Sequence, residues 1–376
     1  MKQFQGAACA QASGCGDDLD HIRQNALNAQ LVFLSSASDK RACLNIWAPM
    51  RLSVLDQSPV INGLGARRAL EETIALARRA DELGYHRYWL AEHHAIAALA
   101  DPCPEILLAR LGAETRRIRI GSGGVLLPYY SAFRTAESFR MLEALYPGRI
   151  DLGIGRAPGG DGRTAQAVNG GKFPDADRFP EQVWELVGHL EGSLPADHPF
   201  KRVRLQPEVE TVPQVWLLGS SDFSGALAAQ LGLRYAFAHF INARGGDEVA
   251  RFYRDNFKGG GKPEVIVCTF LICGESDEDA ERLAASIDLR RLHMALNIDS
   301  AVPTPEQAAR HRYSPEERQY VTSQRARAVI GGPQTCRRGL EEMAARYGAD
   351  EMMVLTITGD YATRLRSYER LIEAMN

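Results

Sequence analysis

Residues 85–125 read YHRYWLAEHHAIAALADPCPEILLARLGAETRRIRIGSGGV. Tyr85–Ala91 (YHRYWLA) is an aromatic and aliphatic run of the kind that forms a strand. Pro104–Thr115 has the apolar spacing of a helix, with Pro104 near its start, where a missing N–H does no harm. Arg117–Val125 (RIRIGSGGV) reads as the next strand. Strand, helix and strand in succession set a βα rhythm, and the rest of the chain keeps it.

Upstream, Leu52–Leu55 is strand-like and Ala66–Leu83 is helical. Ala66, Ala69, Leu70, Thr73, Ile74, Ala77, Ala80 and Leu83 recur at three and four. Gly84 follows, where a helix end favours glycine. Downstream, Ser131–Leu145 reads as a helix stopped by Pro147-Gly148, and Arg149–Gly155 (RIDLGIG) as a strand. A Gly/Pro-rich stretch, Ala157–Asp177, precedes a helix near Glu181–Leu190. Residues 192–213 read as a loop with room for a short hairpin. Val215–Gly219, Tyr235–His239, Val265–Cys273 and Glu351–Ile357 complete eight strands. Helices are expected at Phe223–Leu231, Asp247–Phe257, Asp277–Arg291, Gln334–Tyr347 and Ala362–Met375, with an insertion at 297–320. Eight strands, almost all followed by helices, predict an α/β fold: a closed (β/α)8 barrel of TIM type with loop insertions. An open doubly wound sheet is the competing arrangement.

Composition narrows the function. The 376 residues are 45% hydrophobic and 24% charged, a globular mixture. Lys plus Arg is 44 against 47 for Asp plus Glu, a net charge of −3. Nothing there suggests a nucleic-acid or anionic-membrane partner. The longest apolar run, Val265–Cys273, falls far short of the ~20 residues of a membrane span. The seven cysteines are scattered without C-x-x-C, which favours reduced thiols in a cytoplasmic protein over a disulfide framework. Cys268 and Cys273 are expected in the core. Residues 1–50 carry three of those cysteines and no sustained period, and are read as a disordered extension or an over-long gene start. The folded domain is expected to be 51–376.

Several familiar motifs fail. Pro158 stands where a dinucleotide fingerprint after Gly153-Ile-Gly155 needs glycine. Gly261-Lys262-Pro263 lacks the Ser/Thr of a phosphate loop, and Gly219-Ser-Ser221-Asp-Phe223 lacks the last glycine of a nucleophile elbow. Glu92-His93-His94 is not H-E-x-x-H. Four segments remain, all at the C-terminal ends of expected strands, where barrels collect their chemistry. They are Ala91–His94, Gly121–Pro128, Gly153–Gly159 and Leu217–Ser221.

In this order, YHRYWLAEHH, RIRIGSGGVLLP, LYPGRIDLGIGRAPG and VWLLGSS resemble the bacterial-luciferase-like flavin monooxygenases over about residues 51–375. The likeness is to the small luciferase-like oxidoreductase subgroup, not to light-emitting luciferase. It implies a flavin-binding barrel and reduced-flavin oxygen chemistry. It also implies that His93 lies beside the flavin ring, that Gly123-Gly124 borders the ring with a non-proline cis peptide, and that Arg156 meets the flavin phosphate. A second family arginine would fall near Arg178, at irregular spacing. True luciferases have a reactive cysteine where this chain has Gly155.

The residues also read on their own. A histidine titrates near neutrality, so His93 suits a general acid/base; the plain alternative is a solvated strand end. Glu92 either orients a neighbour or satisfies backbone donors, and His94 is structural. Gly123-Gly124 inside an aliphatic strand marks a bulge or a close ligand. Arg156 suits a phosphate or a surface ion pair. Ser220 and Ser221 precede a helix and suit anion binding, helix capping or both. The expected activity is a cytoplasmic monooxygenase using reduced FMN, supplied by a separate flavin reductase, and O2 to oxygenate a small, largely apolar substrate. Segments 157–180 and 297–320 are expected to cover the site. A homodimer is left open. The alternatives are deazaflavin-dependent hydride transfer on the same barrel, or a flavin-binding protein without turnover.

Overall fold

The computed structural model describes residues 50–376, apart from Pro158. The reading of 1–49 as an extension therefore lies outside the described residues.

Nine strands form one all-parallel sheet: β1 (Arg51–Asp56), β2 (Arg87–Leu90), β3 (Arg119–Leu126), β4 (Ile150–Gly155), β5 (Gln214–Gly219), β6 (Arg234–Ala238), β7 (Val265–Cys273), β8 (Ala328–Gly331) and β9 (Glu351–Leu355). The pairings β1 to β7 in sequence, then β7–β9 and β9–β1, close a ring of eight. This is the expected closed barrel. β8 is additional and pairs with the upper half of β7, Phe270 to Cys273.

Around the ring lie α1 (Gly65–Leu83), α2 (Pro104–Glu114), α3 (Ala132–Leu145), α4 (Gly162–Val168), α5 (Phe179–Glu191), α6 (Asp222–Leu231), α7 (Gly246–Asp255), α8 (Asp277–Ala295), α9 (Pro305–Arg310), α10 (Pro315–Arg325), α11 (Pro333–Tyr347) and α12 (Tyr361–Met375). α1 buries Ala69, Thr73, Leu76, Ala77 and Ala80, the stripe its spacing implied, and ends on left-handed Gly84. Three sequence expectations need correction. Residues 192–213 form no hairpin: backbone carbonyls there are met by turns and by Lys201 Nζ at Gly192, not by a ladder. The stretches 157–180 and 297–320 are not open loops, because Asp161, Thr304 and Ser314 each cap a short helix. Helix α8 runs one turn past Arg291.

Register settles which residues face the lumen. Arg87, Trp89, Gly121, Asp151, Gly153, Gln214, Trp216, Ile266, Cys268, Phe270, Glu351, Met353 and Leu355 all share the inward parity. The N-terminal end is plugged by charge. Arg87 donates to Asp151 at 2.9 Å and to Glu351 at 3.0 Å, and lies 4.7 Å over the Trp216 ring. Asp151 also accepts Trp89 Nε1 at 2.9 Å and Arg119. Cys268 and Cys273 are buried, as expected. The open end of the lumen is therefore the C-terminal one.

Candidate active site at the C-terminal mouth

Strand β3 carries the strongest local signal. Its register to β4 shifts between Gly123 and Val125, a bulge, and the Gly123–Gly124 peptide is cis. The glycines are forced by proximity. A Cβ on Gly124 would stand 2.7 Å from the Gly153 carbonyl, and one on Gly153 would meet the Ser122 carbonyl. Two strands touch backbone to backbone here, which only glycine permits.

The Glu-His-His triplet does not continue β2, which ends at Leu90; it forms the loop just beyond. The two histidines are therefore not set apart by strand alternation. The His93 backbone N–H donates to the Asp101 carbonyl at 3.1 Å. Its Nδ1 is buried with no partner among the described residues. Burial lowers the pKa of His93, against a backbone hydrogen bond at Ala91, which favours its neutral imidazole. His94 instead donates its Nε2 hydrogen bond to Glu92 Oε1 at 2.7 Å and sits edge-on to Tyr129. Glu92 is buried and does both things foreseen for it: it receives Leu126 N–H at 2.9 Å, which ties the end of β3, and Tyr130 Oη at 2.7 Å, besides His94.

Arg156 leaves β4 exposed. It makes no hydrogen bond or ion pair among the described residues; its guanidinium stacks 4.3 Å from the Phe223 ring. Phe223 lies in the first turn of α6, whose N-cap is Ser221. The Ser221 side chain makes no cap bond among the described residues, which leaves its hydroxyl available to a ligand, while the Phe223 N–H of the first turn is taken by Asp222 Oδ1 at 2.8 Å. The Ser220 carbonyl is taken by Asn242 Nδ2 at 3.1 Å. Arg156 is thus tied through Phe223 to the helix end that carries Ser221, and it lines a cavity of about 260 Å³ with Tyr129, Ala165, Phe173 and Pro174. Arg178 is not part of this group; it pairs with Glu181 at 3.2 Å on the surface.

Sequence reasoning passed over Asp101. It is 3% exposed; Oδ1 caps Cys103 N–H at 3.0 Å, while Oδ2 is buried without a partner among the described residues. Burial pushes its pKa up to about 7. An Asp in a small apolar loop gave no period to notice.

The family model of luciferase-like monooxygenases matches residues 50–351. The chain is 44% identical over 327 residues to the uncharacterized protein YwcH of Bacillus subtilis, spanning 86% of this chain and 98% of that protein. It is 33% identical over 330 residues to the N-acetyl-S-alkylcysteine monooxygenase of the same organism, spanning 87% and 98%. Among solved structures it is similar to apo-MsnO8, with a TM-score of 0.81 at 40% identity over 86% of this chain and 98% of the other.

Proposed function

The chain belongs to the luciferase-like monooxygenase family, and from that premise we propose that it uses reduced FMN and O2 to oxygenate a small, largely apolar organic substrate. A separate flavin reductase would supply the reduced cofactor as a transient partner. The observation that carries FMN is the unpaired Arg156 guanidinium beside the free Ser221 hydroxyl and the α6 N-terminus. Cation, hydroxyl and helix dipole converge on one place, and a phosphate is the flavin group that suits it. The bulged β3 wall at Gly123-Gly124 fits the flat ring, and the orphaned Nδ1 of His93 fits a site that expects a polar ligand.

When bound, reduced flavin supplies the electrons that activate oxygen. The chain's own residues hold, orient and protect. Arg156, Ser220 and Ser221 hold the phosphate. Gly123 and Gly124 let the ring lie against backbone. His93, held by its backbone bond to Asp101, accepts or returns a proton at Nδ1. Glu92 holds the loop and β3 in one register. The helical segments 162–168 and 305–325 exclude water.

The test is titration of wild type and Arg156→Ala with FMN, riboflavin and a reduced deazaflavin. Wild type is expected to prefer FMN over riboflavin, and the variant to lose about tenfold to a hundredfold of that preference, the worth of a charged hydrogen bond. Equal weakening of both would remove Arg156 from the phosphate. Tighter binding of the deazaflavin would move the reading to hydride transfer.

A further inference from the structure

Helix α8 lies across the C-terminal end of the barrel. A side chain at Gly359, beyond β9, would collide with Ser286, and Asp299, just past the helix, accepts Ala97 N–H from the loop after β2 at 3.0 Å. The face of α8 toward the barrel carries Ala280, Leu283, Ala284 and Ile287, which belong to the same buried apolar cluster as Phe270 and Leu355. Spacing by three and four continues that stripe to Arg290 and Arg291. Two arginines stand where two aliphatic side chains would finish the stripe.

Neither makes an ion pair among the described residues, although Asp299 lies near Arg290 and Asp288 near Arg291. Arg290 is 5% exposed, and its Nε and Nη1 are buried without partners among the described residues; so is Nη1 of Arg291. The nearby acids are already engaged: Asp288 is held by Arg325 from two sides, and Asp299 by Ala97. Arg327, anchored on the Ile241 carbonyl at 2.8 Å, adds positive charge. Arg291 stands 4.5 Å over the ring of Phe270, a lumen-facing residue in register with Leu355 at the top of the barrel. In the closed order of eight strands, β7 lies opposite β3. A buried guanidinium with unmet donors costs stability, and burial already pulls Arg291 down to about 10. An anionic ligand would satisfy those donors.

We propose that Arg290 and Arg291 bind the carboxylate of the substrate, which is a small organic acid with an apolar body. A carboxylate accepts paired N–H donors from guanidinium groups, and two cations with free donors are what a desolvated carboxylate requires. The apolar reading of the substrate then holds for its body, not for its end. This rests on the proposed position of the flavin along β3 only for which end of the acid is oxygenated.

The test needs no flavin and no turnover. Melting of the full chain is followed with butanoate, hexanoate and octanoate, and with the three matching amides. The carboxylates are expected to raise the melting temperature and to bind at least about tenfold tighter than the amides. Arg290→Met/Arg291→Met is expected to abolish that difference while melting at the same or a higher temperature, because unmet buried donors are gone. Arg291→Lys is expected to keep part of the carboxylate preference. The proposal is overturned if acids and amides act alike throughout the series, or if the double methionine variant keeps the preference. It is also overturned if that variant melts several degrees lower, which would make the arginines structural. A second arm measures FMN against riboflavin on the double variant: a selective loss of FMN would assign the arginines to phosphate, and an unchanged ratio leaves them to the substrate.

Discussion

His93 and His94 are neighbours in sequence and opposites in chemistry. His94 spends its Nε2 on Glu92, while His93 keeps a buried Nδ1 without a partner among the described residues. Replacing His93 by alanine is expected to leave flavin binding intact and to lower product formation by roughly 10²–10⁴, the usual contribution of a placed proton carrier. Stopped-flow mixing of the reduced enzyme with oxygenated buffer, with product assayed in parallel, reads this; unchanged yield would sink the role. His94→Ala is expected to act otherwise, costing about 1 kcal/mol of stability through its lost bond to Glu92 and sparing the FMN-to-riboflavin ratio. The residue types of Arg156 and the serines were legible because they follow glycines at strand ends, and that of His93 because it stands in the Glu-His-His triplet just past β2. Their partners were not. That the Ser221 hydroxyl is free, rather than capping α6, depends on backbone angles no motif encodes.

The strands were legible and the connections less so. Parallel strands buried on both faces declare themselves as apolar runs, as Val265–Cys273 does. β8 escaped notice because it is four residues long and only half-buried, and it exists only by pairing with the top of β7. The short helices of the insertion are set by capping boxes at Thr304 and Ser314, signals that prolines obscured. The layer at the N-terminal end of the lumen also spans elements: β2, β4 and β9 each give one charge, and no one strand shows the pattern. Arg87→Met is expected to cost about 3–5 kcal/mol, since Asp151 and Glu351 would stay buried with their main counter-charge gone. Chemical denaturation measures it. A cost below about 1 kcal/mol would mean that Arg119 and Trp89 suffice for Asp151 and that Glu351 takes up a proton.

Global stability against pH joins groups from distant parts of the molecule with opposite signs. His239, buried and bonded through Nδ1 to Tyr347 Oη at 2.8 Å, is lowered to about 4 by burial. Between about 4 and its ordinary 6.5 the unfolded chain binds the proton and the folded chain does not, so stability falls as acid is added. Asp101 works the other way. Its folded pKa of about 7 lies above the ordinary 3.8, chiefly through burial, with the negative charges of Asp56, Glu105 and Glu92 adding to it. The folded chain then holds a proton that the unfolded chain releases, so this contribution is complete below about pH 4 and is lost as pH rises through 7. The loss is on the order of a few kcal/mol at pH 8. Asp101→Asn cannot ionise and keeps the side-chain oxygen that receives Cys103 N–H. It is therefore expected to melt several degrees above the parent at pH 8 and together with it at pH 4, so that its stability climbs more steeply between those values. A melting series across that range decides it. Curves that stay parallel would show that the folded-state pKa of Asp101 is not raised, with its buried Oδ2 met by solvent.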